Sequence, residues 1–391
     1  MSADPLKWLE SSLQSLKDDH LYREPTIRSG PQSARIVVNG CAHLNFSSND
    51  YLGIANDPEV IRAIQKVVAN AGWGSGASPL VTGRTAAQAE LERHLAAFEN
   101  TEAALVFPSG FAANSGTLSC LTTEEDVIFS DANNHASLID GCRLSRAQIE
   151  VYDHVDMNSL RKQLSKHPQA KRRVIVTDGL FSMDGDLAPL PELAEIAEHH
   201  QAILVVDEAH ATGVLGSNGR GACEYFDVEH LVPIRIGTMS KALGSIGGFV
   251  VGSQPLVDWL FNRTRSFVFS TALPAACHVA AQTALSIIKQ EPQRRISALH
   301  TAQRVREELT RQGWSVGEGI SQIIPVRIGD PRLTMQLAEK LREASLWVAG
   351  IRPPSVQVGS SMLRISVSYA HQHEDIDRLL TAMANLRHEF D

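Results

Sequence analysis

Short apolar runs alternate with amphipathic stretches along most of this chain of 391 residues. Four of the runs consist almost entirely of aliphatic and aromatic residues, which is typical of strands buried on both faces of a sheet. They lie at 103–107, 126–129, 173–177 and 203–206. Predicted helices lie among them, at 138–146, 157–166 and 191–200. Strands that alternate with helices predict right-handed crossovers and a mostly parallel α/β sheet with helices on both faces.

The two ends of the chain show other patterns. Leucines at helical spacing predict one amphipathic helix over residues 5–20, and residues 35–40 are typical of one arm of a hairpin. After a long predicted helix at 275–289, the polar stretch 291–295 interrupts the pattern. Beyond it we predict helices at 295–312 and 333–344 and strands at 322–328 and 362–368. The predicted parts are an N-terminal helix and hairpin segment over 1–44 that packs with the small domain, a large domain over 45–290 and a small α+β domain over 291–391.

Composition and charge exclude several classes of function. Hydrophobic residues make up 43% of the chain and charged residues 20%, as in ordinary globular proteins. The net charge of -8 argues against a nucleic-acid-binding surface. No apolar run approaches the roughly 20 residues that span a bilayer, and residues 1–10 lack a signal-peptide pattern. The five cysteines are far apart with no C-x-x-C spacing, so we predict no metal site, no disulfide framework and a cytoplasmic location.

A carboxylate and a lysine follow two successive predicted strands. Asp207 ends the run 203–206, where an open α/β sheet presents ligand-binding groups. Lys241 follows the run 233–237 and lies among small and hydroxyl residues, which suits an imine to an aldehyde cofactor approached closely by the backbone. An acid can partner a pyridinium nitrogen while a lysine holds an aldehyde carbon. The pair therefore predicts a pyridoxal-phosphate enzyme.

The stretch Pro108–Asn114 is predicted to turn from a strand into a helix. Backbone N–H groups at the start of a helix, here around Gly110 and Phe111, favour a phosphate dianion. An ordinary strand-to-helix turn is the alternative interpretation. Three short hydroxyls are further candidate phosphate ligands: Thr238, Ser270 and Thr271.

Other polar side chains also follow predicted strands. The ring of His135 could stack on a flat cofactor, and either His210 or Ser182 could hydrogen-bond its phenolic oxygen. The chain has 15 histidines, so a surface position or a satisfied core position is the alternative for each. Arg364 lies on an otherwise apolar alternating strand and needs an anion. An internal ion pair would satisfy it, but we favour a clamp on a substrate carboxylate.

Two nucleotide-binding interpretations are excluded. Residues 207–210 spell D-E-A-H, which also occurs in nucleotide-hydrolysing helicases, but the sequence contains no G-x-x-x-x-G-K-[ST] phosphate loop upstream. The glycines at 72, 74 and 76 follow a predicted helix rather than a strand, and Pro79 interrupts the helix that a dinucleotide fingerprint would open.

Taken in order, these motifs resemble the α-oxoamine synthase family of pyridoxal-phosphate enzymes, which condense an amino acid with an acyl-CoA and lose carbon dioxide. The resemblance runs from Leu21 to His371. It rests on the stretches 45–53, 109–114, 134–137, 181–186 and 207–210 and on the lysine loop. It implies the fold type I architecture of pyridoxal-phosphate transferases. It also implies a homodimer with shared active sites, in which Ser270 and Thr271 reach the neighbouring subunit's phosphate.

Within the family, the stretches 47–50 and 351–356 resemble the member that condenses L-alanine with pimeloyl-CoA or pimeloyl carrier protein in biotin synthesis. Two positions depart from that member, since Ser355 stands where threonine is usual and Asp178 where glutamate is common. The stretch 134–141 also resembles glycine C-acetyltransferase. Another amino acid and acyl-CoA therefore remain the alternative.

The resemblance also implies roles for single residues. Lys241 would hold the cofactor and exchange the substrate's α-proton, and Asp207 would face the ring nitrogen. His135 would stack on the ring and polarise the incoming carbonyl. The implied substrate contacts are Asn49, Ser355, Arg364 for the amino-acid carboxylate and Arg23 for the far carboxylate of the acyl chain.

Overall fold

The structure, a computed structural model, describes residues 4–390 and the side chains of residues 4–387. Contacts divide the chain into two compact units. The small unit comprises Met1–Ser48, Met183–Gly185 and His300–Asp391, and the large unit comprises Asn49–Ser182 and Asp186–Leu299. Among the described residues, no helix is both long and apolar enough to cross a membrane.

The N-terminal part of the small unit contains one helix and three short strands. These are α1 (Trp8–Asp18), β1 (Arg28–Ser29), β2 (Arg35–Val38) and β3 (Cys41–Asn45). The predicted hairpin is confirmed, because β2 pairs antiparallel with β3 and Val38 lies opposite Cys41. Asn39 and Gly40 make the turn, both with positive φ, which is the backbone geometry that tight hairpin turns require.

The large unit is built on a seven-stranded sheet in the order β4-β10-β9-β8-β7-β5-β6. Its strands are β4 (Ala103–Phe107), β5 (Val127–Asp131), β6 (Gln148–Tyr152), β7 (Arg173–Asp178), β8 (Ala202–Asp207), β9 (Ile234–Thr238) and β10 (Gly248–Gly252). Strands β5 to β9 pair in parallel, and β10 pairs antiparallel with both β4 and β9. The predicted mostly parallel sheet is confirmed.

Strand β10 was not predicted, and it determines the order of the sheet. Gly248 lies opposite Phe107 of β4 on one side and opposite Thr238 of β9 on the other. The turn after β4 and the end of β9 are therefore brought to the same edge of the sheet.

The helices of the large unit begin where local sequence favours it. They are α2 (Pro58–Ala71), α3 (Ala86–Phe98), α4 (Gly110–Leu121), α5 (Ala136–Leu144), α6 (Met157–Ser165), α7 (Leu190–His199), α8 (Ala222–Tyr225), α9 (Gln254–Arg263), α10 (Arg265–Val268) and α11 (Ala275–Gln290). Asp57 caps α2 by accepting a hydrogen bond from the N–H of Glu59, and Pro58 occupies the first turn, where its missing N–H costs nothing. Ser109 caps α4 in the same way, through the N–H of Ala112.

Apolar side chains of the central strands form one buried core in the large unit. Leu105, Ile128, Val176, Val205 and Ile236 belong to it, each at most 4% exposed. These residues lie on five of the strands of the sheet, so the core fixes the strands against one another. The polar residues at the strand ends are therefore held on rigid elements.

The C-terminal part of the chain completes the small unit. Helix α12 (Gln293–Arg311) belongs to the small unit from His300 onward. The elements that follow it are β11 (Ile323–Gly329), α13 (Pro331–Glu343), β12 (Leu346–Trp347), β13 (Ala349–Ile351), β14 (Ser361–Ser366) and α14 (His373–Phe390). β14 pairs antiparallel with β11 and β13, while β12 pairs in parallel with β3. A separate core contains Leu44 and Phe46 together with Ile324, Leu363 and Leu379.

Candidate active site

Asp207 lies at the carboxyl end of β8 and is 3% exposed. Its Oδ2 accepts a hydrogen bond of 2.6 Å from Nδ2 of Asn114, and its Oδ1 accepts one of 2.8 Å from the N–H of Ala209. Nδ2 of Asn114 also lies 2.8 Å from Oγ of Ser137. Both oxygens of the buried carboxylate are therefore held in place from α4 and from the chain that follows β8.

Sequence reasoning missed Asn114, although it falls in a stretch that was singled out. It lies four residues after Gly110 on α4, and residues at that spacing share one face of a helix. Helical spacing from the predicted phosphate turn could have placed Asn114 beside the cofactor residues.

His135 caps α5 at the end of the loop that follows β5. Its backbone N–H donates to Oδ2 of Asp178 over 2.7 Å. Its ring Nδ1 accepts from the N–H of Ser137 over 3.2 Å, so in the neutral ring the proton is on Nε2. The residue is exposed in this chain, yet desolvation by the surrounding protein lowers the pKa of the imidazole. The charge of Asp207 opposes this shift and that of Lys241 adds to it. The neutral ring with its proton on Nε2 can both stack on a flat cofactor and donate a hydrogen bond.

Asp178 is the cross-strand partner of Asp207 in the β7–β8 ladder and is 2% exposed. Burial raises the pKa of Asp178 well above its ordinary value, and the charge of Asp207 raises it further. The hydrogen bond from His135 and the charge of Lys241 lower the pKa without reversing the shift. Asp178 supports the loop of His135 by accepting this hydrogen bond. The raised pKa favours the protonated form of the Asp178 carboxyl.

A second support for the same loop is His154. Its Nδ1 lies 2.8 Å from Oδ1 of Asp131, at the end of β5, and its Nε2 lies 2.9 Å from Oδ2 of Asp186. Asp131 also accepts hydrogen bonds from the N–H groups of Asn133 and Val155. The histidine therefore links the loop that leads to His135 with the chain that follows Ser182.

His210 follows β8 and is 5% exposed. Its Nδ1 lies 2.7 Å from the hydroxyl of Tyr51, which lies 3.0 Å from Oδ1 of Asn49. The structure thus joins two predicted site residues, Asn49 and His210, through a tyrosine to which the sequence assigned no role.

Lys241 lies in a tight turn after β9. Its carbonyl accepts from the N–H of Gly244 over 2.9 Å. Gly244 has φ of +61°, and a Cβ atom there would lie 2.5 Å from the backbone nitrogen of Ala55. Only glycine fits this conformation and this close approach. Gly244, three residues after Lys241, is therefore required by the packing of the loop.

The predicted phosphate turn forms a cradle with the end of β9. A Cβ atom added to Gly110 would lie 3.3 Å from the side chain of Thr238, so the threonine lies directly over the start of α4. Oγ1 of Thr238 donates to the carbonyl of Gly247 over 2.8 Å and lies 2.7 Å from Oγ of Ser240. Helix N–H groups and hydroxyls in one place are chemically suited to a phosphate.

Four other predicted cofactor ligands are described by their position and exposure. Phe111 is 47% exposed at the start of α4. Ser270 is partly exposed and Thr271 is exposed, on the loop between α10 and α11. Ser182 is partly buried after β7. Their roles toward a cofactor stay predictions.

In the small unit, Arg364 lies on β14 and is 7% exposed. One of its terminal nitrogens, Nη1, lies 2.8 Å from Oγ of Ser366. A buried guanidinium on a rigid central strand can hold a carboxylate in a defined orientation.

A second group of arginines in the small unit involves Arg23. Its Nη2 donates to the carbonyl of Pro353 over 3.3 Å and lies 3.5 Å from Oγ of Ser355. The neighbouring Arg352 is 8% exposed and donates to the carbonyl of Tyr22 over 2.6 Å. Its Nε is buried and has no hydrogen-bond partner within the described part of the chain. Desolvation lowers the pKa of Arg352, and the charge of Arg23 lowers it further.

The two guanidiniums, Arg23 and Arg352, therefore suit an anion that is not part of their own surroundings. Sequence reasoning used the stretch 351–356 as a family signature and gave its arginine no role. The burial that makes Arg352 informative can be seen only in the folded chain.

Comparisons with known proteins show what this chain is similar to. Curated relatives named 8-amino-7-oxononanoate synthase include one from Geobacter sulfurreducens, 43% identical over 97% of this chain and 98% of its own. Another, from Methylococcus capsulatus, is 44% identical over 98% of each chain. These relatives confirm the resemblance to the α-oxoamine synthases.

Solved structures agree as well. Serine palmitoyltransferase from S. paucimobilis with a bound PLP–myriocin aldimine has a TM-score of 0.93, with 29% identity over 98% of each chain. An 8-amino-7-oxononanoate synthase from Francisella tularensis has a TM-score of 0.75, with 28% identity over 89% of this chain and 99% of its own. The predicted fold type I architecture is thereby confirmed. The model of the family "Aminotransferase class I and II" matches residues 42–383, and the chain belongs to that family.

Proposed function

We propose that this chain catalyses the decarboxylative condensation of L-alanine with pimeloyl-CoA or pimeloyl carrier protein, with pyridoxal phosphate as cofactor. The observation that carries the proposal is Asp207, whose two oxygens are held on one edge of the sheet that also carries His135 and Lys241. Near-full-length relatives named 8-amino-7-oxononanoate synthase support the choice of reaction. That reaction belongs to biotin biosynthesis.

The residues present fit pyridoxal phosphate. The cradle between Gly110 and Thr238 suits the phosphate, Asp207 suits the ring nitrogen, and Lys241 suits the aldehyde carbon. When bound, the cofactor supplies an electron sink for the carbanion of the amino acid. The cofactor prediction is confirmed at the level of the family, whose solved members include serine palmitoyltransferase with PLP.

The chain's own groups account for the proton transfers that this reaction needs. The amine of Lys241 would take the α-proton of the amino acid and later return a proton to the product. The Nε2–H of His135 would donate to the carbonyl oxygen of the incoming thioester, because its Nδ1 is already occupied by the N–H of Ser137. The carboxylate of Asp207 would keep the opposite ring nitrogen protonated.

Substrate contacts are assigned to four residues, and Arg352 is added to them. Arg364 would hold the carboxylate of L-alanine. Arg23, with Ser355 within its reach and Arg352 beside it, would hold the far carboxylate of the pimeloyl chain. Asn49 would contact the substrate near His210.

We also infer a cytoplasmic homodimer in which Ser270 and Thr271 contact the neighbouring subunit's phosphate, and light scattering of the purified enzyme tests its mass.

An acyl-donor assay tests the proposed function. The purified, cofactor-loaded enzyme is given L-alanine, glycine or L-serine with pimeloyl-, acetyl- or succinyl-CoA, and the release of CoA and carbon dioxide is followed. We expect both products only with L-alanine and the pimeloyl donor. The Lys241→Ala variant provides the background rate. Preference for glycine with acetyl-CoA would instead support glycine C-acetyltransferase, which the stretch 134–141 resembles.

A further inference from the structure

The hydroxyl of Ser137 connects two predicted site residues. Its Oγ lies 2.6 Å from Nδ1 of His135 and accepts a hydrogen bond of 2.8 Å from Nδ2 of Asn114. The same Nδ2 donates to Oδ2 of Asp207 over 2.6 Å. Ser137 is 0% exposed, and Asn114 and Asp207 are each 3% exposed. A continuous chain of hydrogen bonds therefore runs from the buried carboxylate to the imidazole ring of His135.

The direction of each hydrogen bond in this chain follows from the groups that form it. An ionised carboxylate can only accept, so the end of the Asn114 amide that faces Asp207 is its nitrogen, whose two hydrogens serve Asp207 and Ser137. The backbone N–H of Ser137 donates to Nδ1 of His135 over 3.2 Å, so Nδ1 is an acceptor. The Ser137 hydroxyl accepts from Asn114 and therefore donates its own proton to Nδ1.

We propose that Ser137 is a positioning residue whose hydroxyl holds His135 as the neutral ring with its proton on Nε2. The inference rests on the proposed function, which assigns the Nε2–H of His135 to the carbonyl oxygen of the incoming thioester. Two donors of Ser137 face Nδ1, so they oppose a proton on that nitrogen and leave the ring proton on Nε2. Because Asn114 holds the Ser137 hydroxyl, one amide orients both the carboxylate of Asp207 and the ring of His135.

Nitrogen magnetic resonance tests the inference without measuring activity. The ¹⁵N-histidine-labelled, cofactor-loaded enzyme is studied at about pH 8, where the lowered pKa of His135 leaves its ring neutral. Loss of one signal set in His135→Gln assigns the residue. We expect the Nε2–H form, with the Nδ1 signal shifted to lower frequency by its two donors. In Ser137→Ala, which removes only the hydroxyl, the Nδ1 signal should move to higher frequency, toward that of a nitrogen without a hydrogen bond.

Two rates of the loaded enzyme distinguish positioning of His135 from general damage. Exchange of the α-proton of L-alanine with deuterated solvent, measured without an acyl donor, depends on the amine of Lys241 in the proposed function. Ser137→Ala should leave this exchange unchanged. It should lower kcat with pimeloyl-CoA about fivefold at unaltered KM, because one neutral hydrogen bond that orients the donor to the carbonyl is lost.

The matched control is Ser145→Ala, at the other end of α5. Ser145 is 3% exposed, and its hydroxyl donates to the carbonyl of Cys142 over 2.6 Å and accepts from the N–H of Ala147 over 3.1 Å. This variant also removes a buried hydroxyl, yet it should change neither the His135 signals nor the two rates.

Three results would overturn the inference. One is an Nδ1–H signal for His135 in the loaded wild-type enzyme, and another is an Nδ1 frequency in Ser137→Ala equal to that of the wild type. The third is proton exchange in Ser137→Ala that slows as much as kcat. None of them decides which amino acid and acyl donor release CoA, so failure of the inference and failure of the proposed function can be told apart.

Discussion

Nδ2 of Asn114 lies 2.6 Å from Oδ2 of Asp207, so a side chain on helix α4 holds the carboxylate at the end of β8. The same helix begins at the phosphate cradle, with Gly110 under the side chain of Thr238. One rigid helix therefore sets both the position of the phosphate site and the direction in which the carboxylate points.

Replacing Asn114 should weaken cofactor binding. The Asn114→Ala variant leaves Oδ2 of a buried carboxylate without its donor, and a hydrogen bond to a charged group contributes about 1.5–3 kcal/mol, or roughly tenfold or more in affinity. Titration of the apoenzyme with pyridoxal phosphate, followed by visible absorption, measures the change. Asn70→Ala, in helix α2, is the control and should bind like the wild type. Unchanged affinity in Asn114→Ala would show that Asp207 does not need this donor.

Replacing Lys241 should remove the covalent link to the cofactor. The Lys241→Ala variant has no amine at this position, so borohydride should no longer attach the cofactor to the protein. Loss of the general base alone should lower the turnover rate by about 10²–10⁴-fold. Mass spectrometry after reduction measures the link, and Lys162→Ala on the exposed face of α6 is the control. A reducible link that persists in Lys241→Ala would move the attachment to another lysine.

The two predicted carboxylate-binding sites should affect the KM values of different substrates. Arg23→Ala should raise the KM for pimeloyl-CoA about tenfold and leave the KM for L-alanine unchanged, because a charge-assisted hydrogen bond is lost at one site only. Arg364→Lys should raise the KM for L-alanine and leave the KM for pimeloyl-CoA unchanged, since lysine cannot reproduce the planar fork of donors. Heptanoyl-CoA, which lacks the far carboxylate, is the matched donor and should be insensitive to Arg23→Ala. If heptanoyl-CoA lost as much as pimeloyl-CoA, Arg23 would act through the fold instead.

The bridge made by His154 should make stability depend on pH. Burial opposes its charge, but the hydrogen bonds and charges of Asp131 and Asp186 outweigh burial and raise the pKa of His154 to about 10. A pKa raised above its ordinary value of 6.5 stabilises the fold fully below pH 6.5, and this contribution is lost as the pH rises toward 10.

The His154→Gln variant tests this dependence, because glutamine can donate a hydrogen bond without carrying a charge. Since the ring is partly reached by solvent, we expect a loss on the order of 2 kcal/mol in the free energy of unfolding near pH 6. The difference from the wild type should shrink toward zero at pH 10. Urea unfolding across this range measures it. A difference that is constant with pH would mean that packing, rather than charge, accounts for the effect.

The central strands and the positions of the residues at their ends were predictable because the pattern that indicates them lies in adjacent residues. Strands β7 and β8 are apolar runs that end in aspartates, so their buried character and the position of Asp207 can be read together. The position of Lys241 in a tight turn after β9 was predictable from its glycine and hydroxyl neighbours, and its role toward a cofactor stays a prediction. Strand β6 was missed because it is short, contains two polar residues and is largely exposed, and β10 was missed because glycines bound it on both sides.

The supporting residues of the site could not be predicted in the same way. Asn114, Tyr51 and Arg352 have side chains that are common in helices, loops and strand ends. What distinguishes them is a partner far away in sequence, such as Asp207 or His210, or burial that only the folded chain provides. Apart from the helical spacing that relates Asn114 to Gly110, a single sequence without its contacts gives no signal for such pairs.

Gly248 has a consequence for how this enzyme can change. It is paired with Phe107 and Thr238 at once, and a Cβ atom there would lie 2.5 Å from the carbonyl oxygen of Ser109. The separation between the phosphate turn and the end of β9 is thus set by one bare stretch of main chain. New substrate preferences can arise by exchanging side chains elsewhere while the distance between the phosphate turn and the end of β9 stays the same. Even alanine at position 248 would force these two segments apart.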